Sequence, residues 1–249
     1  MRLVVRRLSN RRGHRLLAVS GDADIAAVAA LIGDGTRARF LCELASGSSR
    51  RASELASAAG VSRSTASFHL ARLLDANLLA VQTHGRHRSY RLAGPEVASA
   101  IEALQRIAPR QTVRSLRAAN SAQEHSYARF CYDHLAGRLA IELVDAMTAA
   151  GLMTLVGEQF ELSEQGVSWF AELGIDVPGL RAARRSFARA CLDWSERRPH
   201  LAGAVGAALA QRLLDLDWIE RAPRGRAVKP TVAGRAHLGT TLGITCDTN

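Results

Sequence analysis

Aromatic residues are scarce in this chain of 249, at 5%, while the hydrophobic fraction is an ordinary 47%. A core poor in rings and rich in alanine and leucine favours packed helices over a large β-sandwich. Long apolar runs are missing as well. The longest, residues 201–210, is about half of a membrane span, so the sequence predicts no transmembrane helix. The opening residues are basic and lack a continuous apolar segment followed by a small-residue cleavage site, so they do not read as a signal peptide. The four cysteines, Cys42, Cys131, Cys191 and Cys246, are too widely spread for a disulfide framework, which predicts a cytoplasmic location. A glycine-rich phosphate loop, a His-Glu-x-x-His pair and a Gly-x-Ser-x-Gly elbow are all absent, and the sequence predicts no enzyme.

Acidic residues are the other shortage. Lys and Arg number 33 against 23 Asp and Glu, and the net charge of +10 suits a polyanionic partner. Residues 1–20 hold Arg2, Arg6, Arg7, Arg11, Arg12 and Arg15 with no acid. They read as a basic, disordered leader, with a DNA-contacting arm as the alternative.

Helical spacing begins after Asp24. Ile25, Val28, Ala29 and Ile32 form one face, Gly33-Asp34-Gly35 breaks it, and Thr36 opens a second helix with Ala38, Leu41, Leu44 and Ala45 inward. A short helix from Ser53 ends near Gly60. Ser62 then caps a helix over 63–76, and Asn77 stops it. Two helices joined by so short a turn have helix-turn-helix spacing. The alternation of Leu79, Val81 and Thr83, then Tyr90 and Leu92, around Gly85 predicts a β-hairpin. Pro95 starts a further helix with Val97, Ala98, Ile101, Leu104 and Ile107 on one face.

Three stretches carry a resemblance: Ala30-Leu-Ile-Gly-Asp-Gly-Thr-Arg-Ala-Arg-Phe-Leu41, the run from Glu54 through Val61-Ser-Arg-Ser-Thr-Ala-Ser-Phe-His-Leu70 to Leu79, and Gly85-Arg-His-Arg-Ser-Tyr-Arg-Leu92. Together, in this order, they resemble the ArsR/SmtB family of winged helix-turn-helix repressors. The resemblance implies a homodimer joined by its first and last helices, with helix 63–76 of each protomer in a major groove of double-stranded DNA. The expected domains are the leader 1–20, a DNA-binding and dimerisation domain 21–109, a polar linker 110–125, and a helical C-terminal domain 126–249 that carries the sensor. The fold class is mainly α, a winged helix-turn-helix plus a helical domain bearing winged-helix-like hairpins.

Ser62, Arg63, Ser64, Thr65 and Ser67 occupy the start of the reading helix, where an Arg can grip guanine with two hydrogen bonds and short hydroxyls reach bases or phosphates. Arg86 and Arg88, at the wing tip, suit phosphates or the minor groove. A structural role and a DNA contact both stand for His69. The metal positions usual in the family lack their residue types here. The helix before the reading helix has no cysteine pair, the reading helix has no cysteine, and 96–107 has no histidine and only Glu96 and Glu102 as carboxylates. Cys42 reads as a small buried hydrophobe.

The sensor is therefore expected in the C-terminal domain. Residues 126–150 read as one long helix, with Cys131, Leu135, Leu139, Leu143 and Met147 as an i, i+4 ladder. That helix places Cys131 and His134 on one face, and Cys191, Asp193 and His200 would complete a set for zinc, nickel or cadmium. Other readings stand beside it: a redox pair, an organic ligand pocket, or plain core cysteines. Leu180, Phe187 and Trp194, seven apart, predict a helix between them. Phe160-Glu-Leu-Ser-Glu-Gln-Gly166 and Val228-Lys-Pro-Thr-Val-Ala-Gly234 form a weak repeat at hairpin-to-helix junctions. The alternatives to a specific regulator are a C-terminal enzyme or ligand-binding domain fused to a DNA reader, and a non-specific architectural DNA binder.

Overall fold

Asp24 accepts a hydrogen bond from the Ala27 amide and starts α1 (Ile25–Ile32), and Asp34 does the same for Arg37 at α2 (Gly35–Leu44). The computed structural model describes residues 23–85, 87–109, 112, 115–222 and 225–246, preceded by paired strands β1 (Arg6–Arg7) and β2 (Leu17–Ala18). The remainder of the expected leader lies outside the described residues. No helix among the described residues is long and apolar enough to cross a membrane.

After α2, a short strand β3 (Arg50–Arg51) leads into α3 (Ala52–Ala59). Gly60, left-handed at φ 68°, ends that helix, and Ser62 caps α4 (Arg63–Asp75) by accepting from the Thr65 amide. Strands β4 (Leu79–His84) and β5 (His87–Leu92) form the wing, and β3 pairs on the other edge of β5. Next comes α5 (Pro95–Ile107). Phe40, Leu41, Leu44, Leu55, Leu70, Leu73 and Leu92 close one core beneath these elements.

The second half departs from its sequence reading in three places. The linker segment is largely helix, α6 (Leu116–Tyr127), while residues 110, 111, 113 and 114 lie outside the described residues. The single helix expected over 126–150 is a hairpin, β6 (Arg129–Cys131) and β7 (His134–Ala136), followed by α7 (Arg138–Ala149). The helix expected through Leu180, Phe187 and Trp194 is only α9 (Val177–Ala182). Phe187 falls in the connection after it, and Trp194 in the turn between β10 (Ala190–Leu192) and β11 (Pro199–Leu201). The expected hairpin-to-helix junctions are present: β8 (Met153–Val156) and β9 (Gln159–Leu162) lead into α8 (Glu164–Glu172), and after α10 (Gly203–Asp215), β12 (Ile219–Arg221) and β13 (Val228–Pro230) lead into α11 (Val232–Leu242).

These elements are one unit used twice: hairpin, helix, hairpin, helix. The copies interlock. Helix α10 packs on β7, and α7 packs on β11. Arg129 of β6 bridges Ala227, and Gln159 of β9 bridges Arg189, so each copy's first hairpin meets the other's second. Ser163 and Thr231 cap α8 and α11 by accepting from the amides of Gly166 and Gly234. Both glycines lie against a backbone carbonyl, of Leu152 and of Trp218, with no room for a Cβ. Phe130, Leu139, Met147, Phe170, Val205, Leu213 and Ile219 belong to the core the copies share.

The duplicated unit rests directly on the DNA-reading unit. The Tyr132 amide donates to the Ala45 carbonyl at 2.6 Å. Gly47, at φ 68°, lies under the Tyr132 carbonyl so closely that a Cβ would overlap it. Arg226 pairs with Glu102 of α5 at 3.0 Å, and both side chains are buried.

Candidate functional site

The first candidate surface is the start of α4 with the wing. Ser62, Arg63, Ser64, Thr65 and Ser67 are all exposed, while Ala66, Leu70 and Leu73 face the core. The hydroxyls are tied to the helix end. Ser62 Oγ is 2.8 Å from Ser64 Oγ and 2.9 Å from Thr65 Oγ1, and Ser67 donates to the Arg63 carbonyl. Arg88 is exposed on β5; Arg86 lies outside the described residues. Arg51, Ser53, Arg63, Ser67, His87 and Arg88 line one open cleft. The sequence reading missed Arg51, Ser53 and His87, which come from strand β3, the start of α3 and the far wing strand. Phe68 was missed too. It is 58% exposed on α4 with the Arg72 guanidinium over its ring. His69 turns inward, with Nδ1 3.3 Å from Arg37 and 3.6 Å from Asp34. Cys42 is half-buried and accepts from Gln105 of α5.

The second candidate site lies where the two copies meet. Cys131, His134, Cys191 and His200 are all buried, and one ligand atom from each lies within 4.8 Å of the others. Cys131 and His134 are cross-strand partners in the β6–β7 hairpin, not neighbours on a helix; Cys191 and His200 are partners in β10–β11. The sulfurs are 4.0 Å apart and the Nε2 atoms 3.1 Å apart. His134 Nδ1 meets Asp133 of its own hairpin at 3.3 Å, whereas His200 Nδ1 lies 3.6 Å from Asp193 and makes no hydrogen bond to it.

Asp193, expected as a ligand, stands outside this group. Its carboxylate is taken by Arg129 at 2.9 Å, the Gly137 amide and Ser195. Burial pushes its pKa up, but Arg129 and those hydrogen bonds outweigh it and hold the group well below the ordinary value. The contact between the thiols raises Cys131 and lowers Cys191. Burial lowers His200. Burial also works on His134, but Asp133 and Cys191 outweigh it and the net shift is upward.

A stronger repeat than the one at the hairpin-to-helix junctions marks this site. Ser126-Tyr-Ala-Arg-Phe-Cys-Tyr-Asp133 matches Ser186-Phe-Ala-Arg-Ala-Cys-Leu-Asp193, and His134-Leu-Ala-Gly137 matches His200-Leu-Ala-Gly203. The six residues Trp194-Ser-Glu-Arg-Arg-Pro199, inserted in the second copy alone, hide the match from a search at one fixed period.

A reading helix set bare beside a two-stranded wing defines a DNA-binding transcriptional regulator of the winged helix-turn-helix type. Residues 32–82 match a family described as a helix-turn-helix domain. The chain is 43% identical over 221 residues to the uncharacterized HTH-type transcriptional regulator YdfF of Bacillus subtilis strain 168, covering 89% of this chain and 98% of that protein. The chain belongs to the ArsR/SmtB family of winged helix-turn-helix regulators. Among solved structures, reduced HlyU from Vibrio cholerae N16961 is 27% identical with a TM-score of 0.32, over 34% of this chain and 88% of that one. The cadmium metal-sensor CMTR from Mycobacterium tuberculosis is 28% identical with a TM-score of 0.30, over 37% of this chain and all of that one.

Proposed function

We propose that this regulator is a homodimeric repressor of a pseudo-palindromic operator, acts in the cytoplasm, and is released when an effector acts on its C-terminal domain. The observation that carries the reading is the shared cleft, in which Arg63 and Ser67 of α4 stand beside Arg88 of the wing. An Arg at the start of a reading helix can take the paired acceptors of guanine, while a wing Arg positions the protein on phosphates or in the minor groove. Exposed Ile25 and Val28 on α1, with Leu104 and Ile107 on α5, support a two-fold partner. Half-sites then lie about one DNA turn apart.

Binding of Arg63→Ala and Arg88→Ala variants to the footprinted operator and to random duplex tests this. Arg63→Ala should cost about 1–3 kcal/mol on the operator and relax preference at one base per half-site. Arg88→Ala should weaken all duplexes alike. Equal losses on operator and random DNA for Arg63→Ala would overturn its base-reading role.

A further inference from the structure

Burying two thiols and two imidazoles where the copies meet is poor use of a core position. Leucine or valine would fill the space with nothing to desolvate. Cys131, His134, Cys191 and His200 are nonetheless all within 5% exposure, and none lines the cleft between α4 and the wing. His200 Nδ1 has no hydrogen-bond partner within reach.

We propose that these four residues hold one four-coordinate cation of the zinc type, on the pseudo-two-fold axis between the copies, each copy giving one thiolate sulfur and one Nε2. The spacing is the first argument. A tetrahedron with metal–sulfur bonds of about 2.3 Å and metal–nitrogen bonds of about 2.05 Å has a sulfur–sulfur edge of about 3.8 Å and a nitrogen–nitrogen edge of about 3.3 Å. The protein sets these pairs at 4.0 and 3.1 Å. The direction of the rings is the second. A ligating histidine usually turns its other nitrogen to a carboxylate, which fixes the tautomer. Asp133 takes that place at His134 Nδ1, 3.3 Å away, while Asp193 lies 3.6 Å from His200 Nδ1 without bonding it.

Donor chemistry selects the ion. Two sulfurs and two imidazoles in a tetrahedron favour zinc, with cadmium as a soft substitute, over magnesium or calcium, which take oxygen. Two thiolates and two neutral rings also leave a loaded divalent site uncharged, which suits burial. All four positions come from protein side chains, so the site is closed and suits holding rather than catalysis.

The site can reach the DNA-reading unit, and this part rests on reading the C-terminal domain as the effector domain. On one side of Cys131, the Phe130 amide donates to the carbonyl of Arg226, whose side chain pairs with Glu102 of α5. On the other, Tyr132 donates to Ala45. From the second hairpin's turn, Arg197 donates to the Arg106 carbonyl at 3.0 Å. An ion that draws the hairpins together fixes both turns against the reading unit.

The test uses the full chain purified without chelator, its metal content measured, then stripped and titrated with Co2+ and Cd2+. We expect one zinc per chain, a Co2+ spectrum of tetrahedral type, and a thiolate-to-cadmium absorption band. Cys131→Ser with Cys191→Ser, or His134→Gln with His200→Gln, should each weaken binding by about a hundredfold or more, and Asp133→Asn by about tenfold. Cys246→Ser should change nothing. If the double variants fail to fold, the spectra of the unaltered chain still decide: an octahedral Co2+ spectrum, or no binding at micromolar metal, overturns the site. Undiminished binding in a folded double variant does the same. Operator binding is followed in the same samples. Metal bound at this site with no change in DNA affinity leaves the site standing and ends the effector reading; operator binding intact in a chain that takes no metal does the reverse to the site alone.

Discussion

Asp193 accepts from Arg129, Gly137, Ser195 and Glu196 at once. Its partner Arg129 is fully buried, donates to both its oxygens, and lies over the Trp194 ring at 4.4 Å. Removing one member of such a pair strands the other charge, at a cost of about 3–5 kcal/mol. Asp193→Asn should therefore lower stability by that order at neutral pH. The folded-state pKa of Asp193 lies below its unfolded value, so its contribution is fully present above about pH 4 and is lost as pH falls through the depressed folded value. The gap between the two proteins in urea unfolding should be constant from neutral pH down to the ordinary carboxylate range and narrow below it. A gap already absent at pH 7 would show that the pair contributes little.

At the scale of elements, the two glycines behind the helix caps should contrast with a third. Gly166→Ala and Gly234→Ala drive a methyl onto a backbone carbonyl and should each cost about 1–3 kcal/mol. Gly239→Ala, in the same helix as Gly234, meets only the Ile244 carbonyl at 3.7 Å and should gain about 0.5–1 kcal/mol from helix propensity. Thermal unfolding of the three reads both signs; a loss at Gly239 equal to that at Gly234 would refute the close-approach argument. The reading unit was legible because its periods are unmixed, 3.6 in α1, α4 and α5 and 2 in the wing. The first C-terminal hairpin was not. Leu139, Leu143 and Met147 do lie one turn apart on α7, but the same i, i+4 ladder runs on by coincidence through Leu135 and Cys131, which are strand residues. Its turn is made by Tyr132 at φ 60°, with no glycine or asparagine to announce it. Cys131 and His134 come together all the same, because three residues close one helical turn and also span a two-residue hairpin. Asp193 falls outside the group for a related reason: the sequence shows a carboxylate near the other four residues, but not that Arg129, from the other copy, pairs with it.

For the whole molecule, the most exposed large apolar side chains among the described residues are Leu116 (86%), Ile107 (80%), Val232 (78%) and Ile25 (76%), and Ile25 and Ile107 belong to the two end helices of the reading unit. Ile107→Glu should raise the dimer dissociation constant by about tenfold or more, as expected for losing more than 1.4 kcal/mol at an interface core. Sedimentation across micromolar concentrations checks this, and a wild-type chain that stays monomeric there would remove the dimer altogether. The unequal hairpin turns of the two copies bear on how any signal leaves the C-terminal half. An ion placed on a two-fold axis pulls on both copies equally and has no preferred direction. The turns break that symmetry: the two-residue turn donates to Ala45 at the end of α2, and the longer turn donates to Arg106 in α5. On the metal site proposed above, a symmetric contraction at the centre would become a shear between α2, which packs on the reading helix α4, and α5, which carries the exposed Ile107.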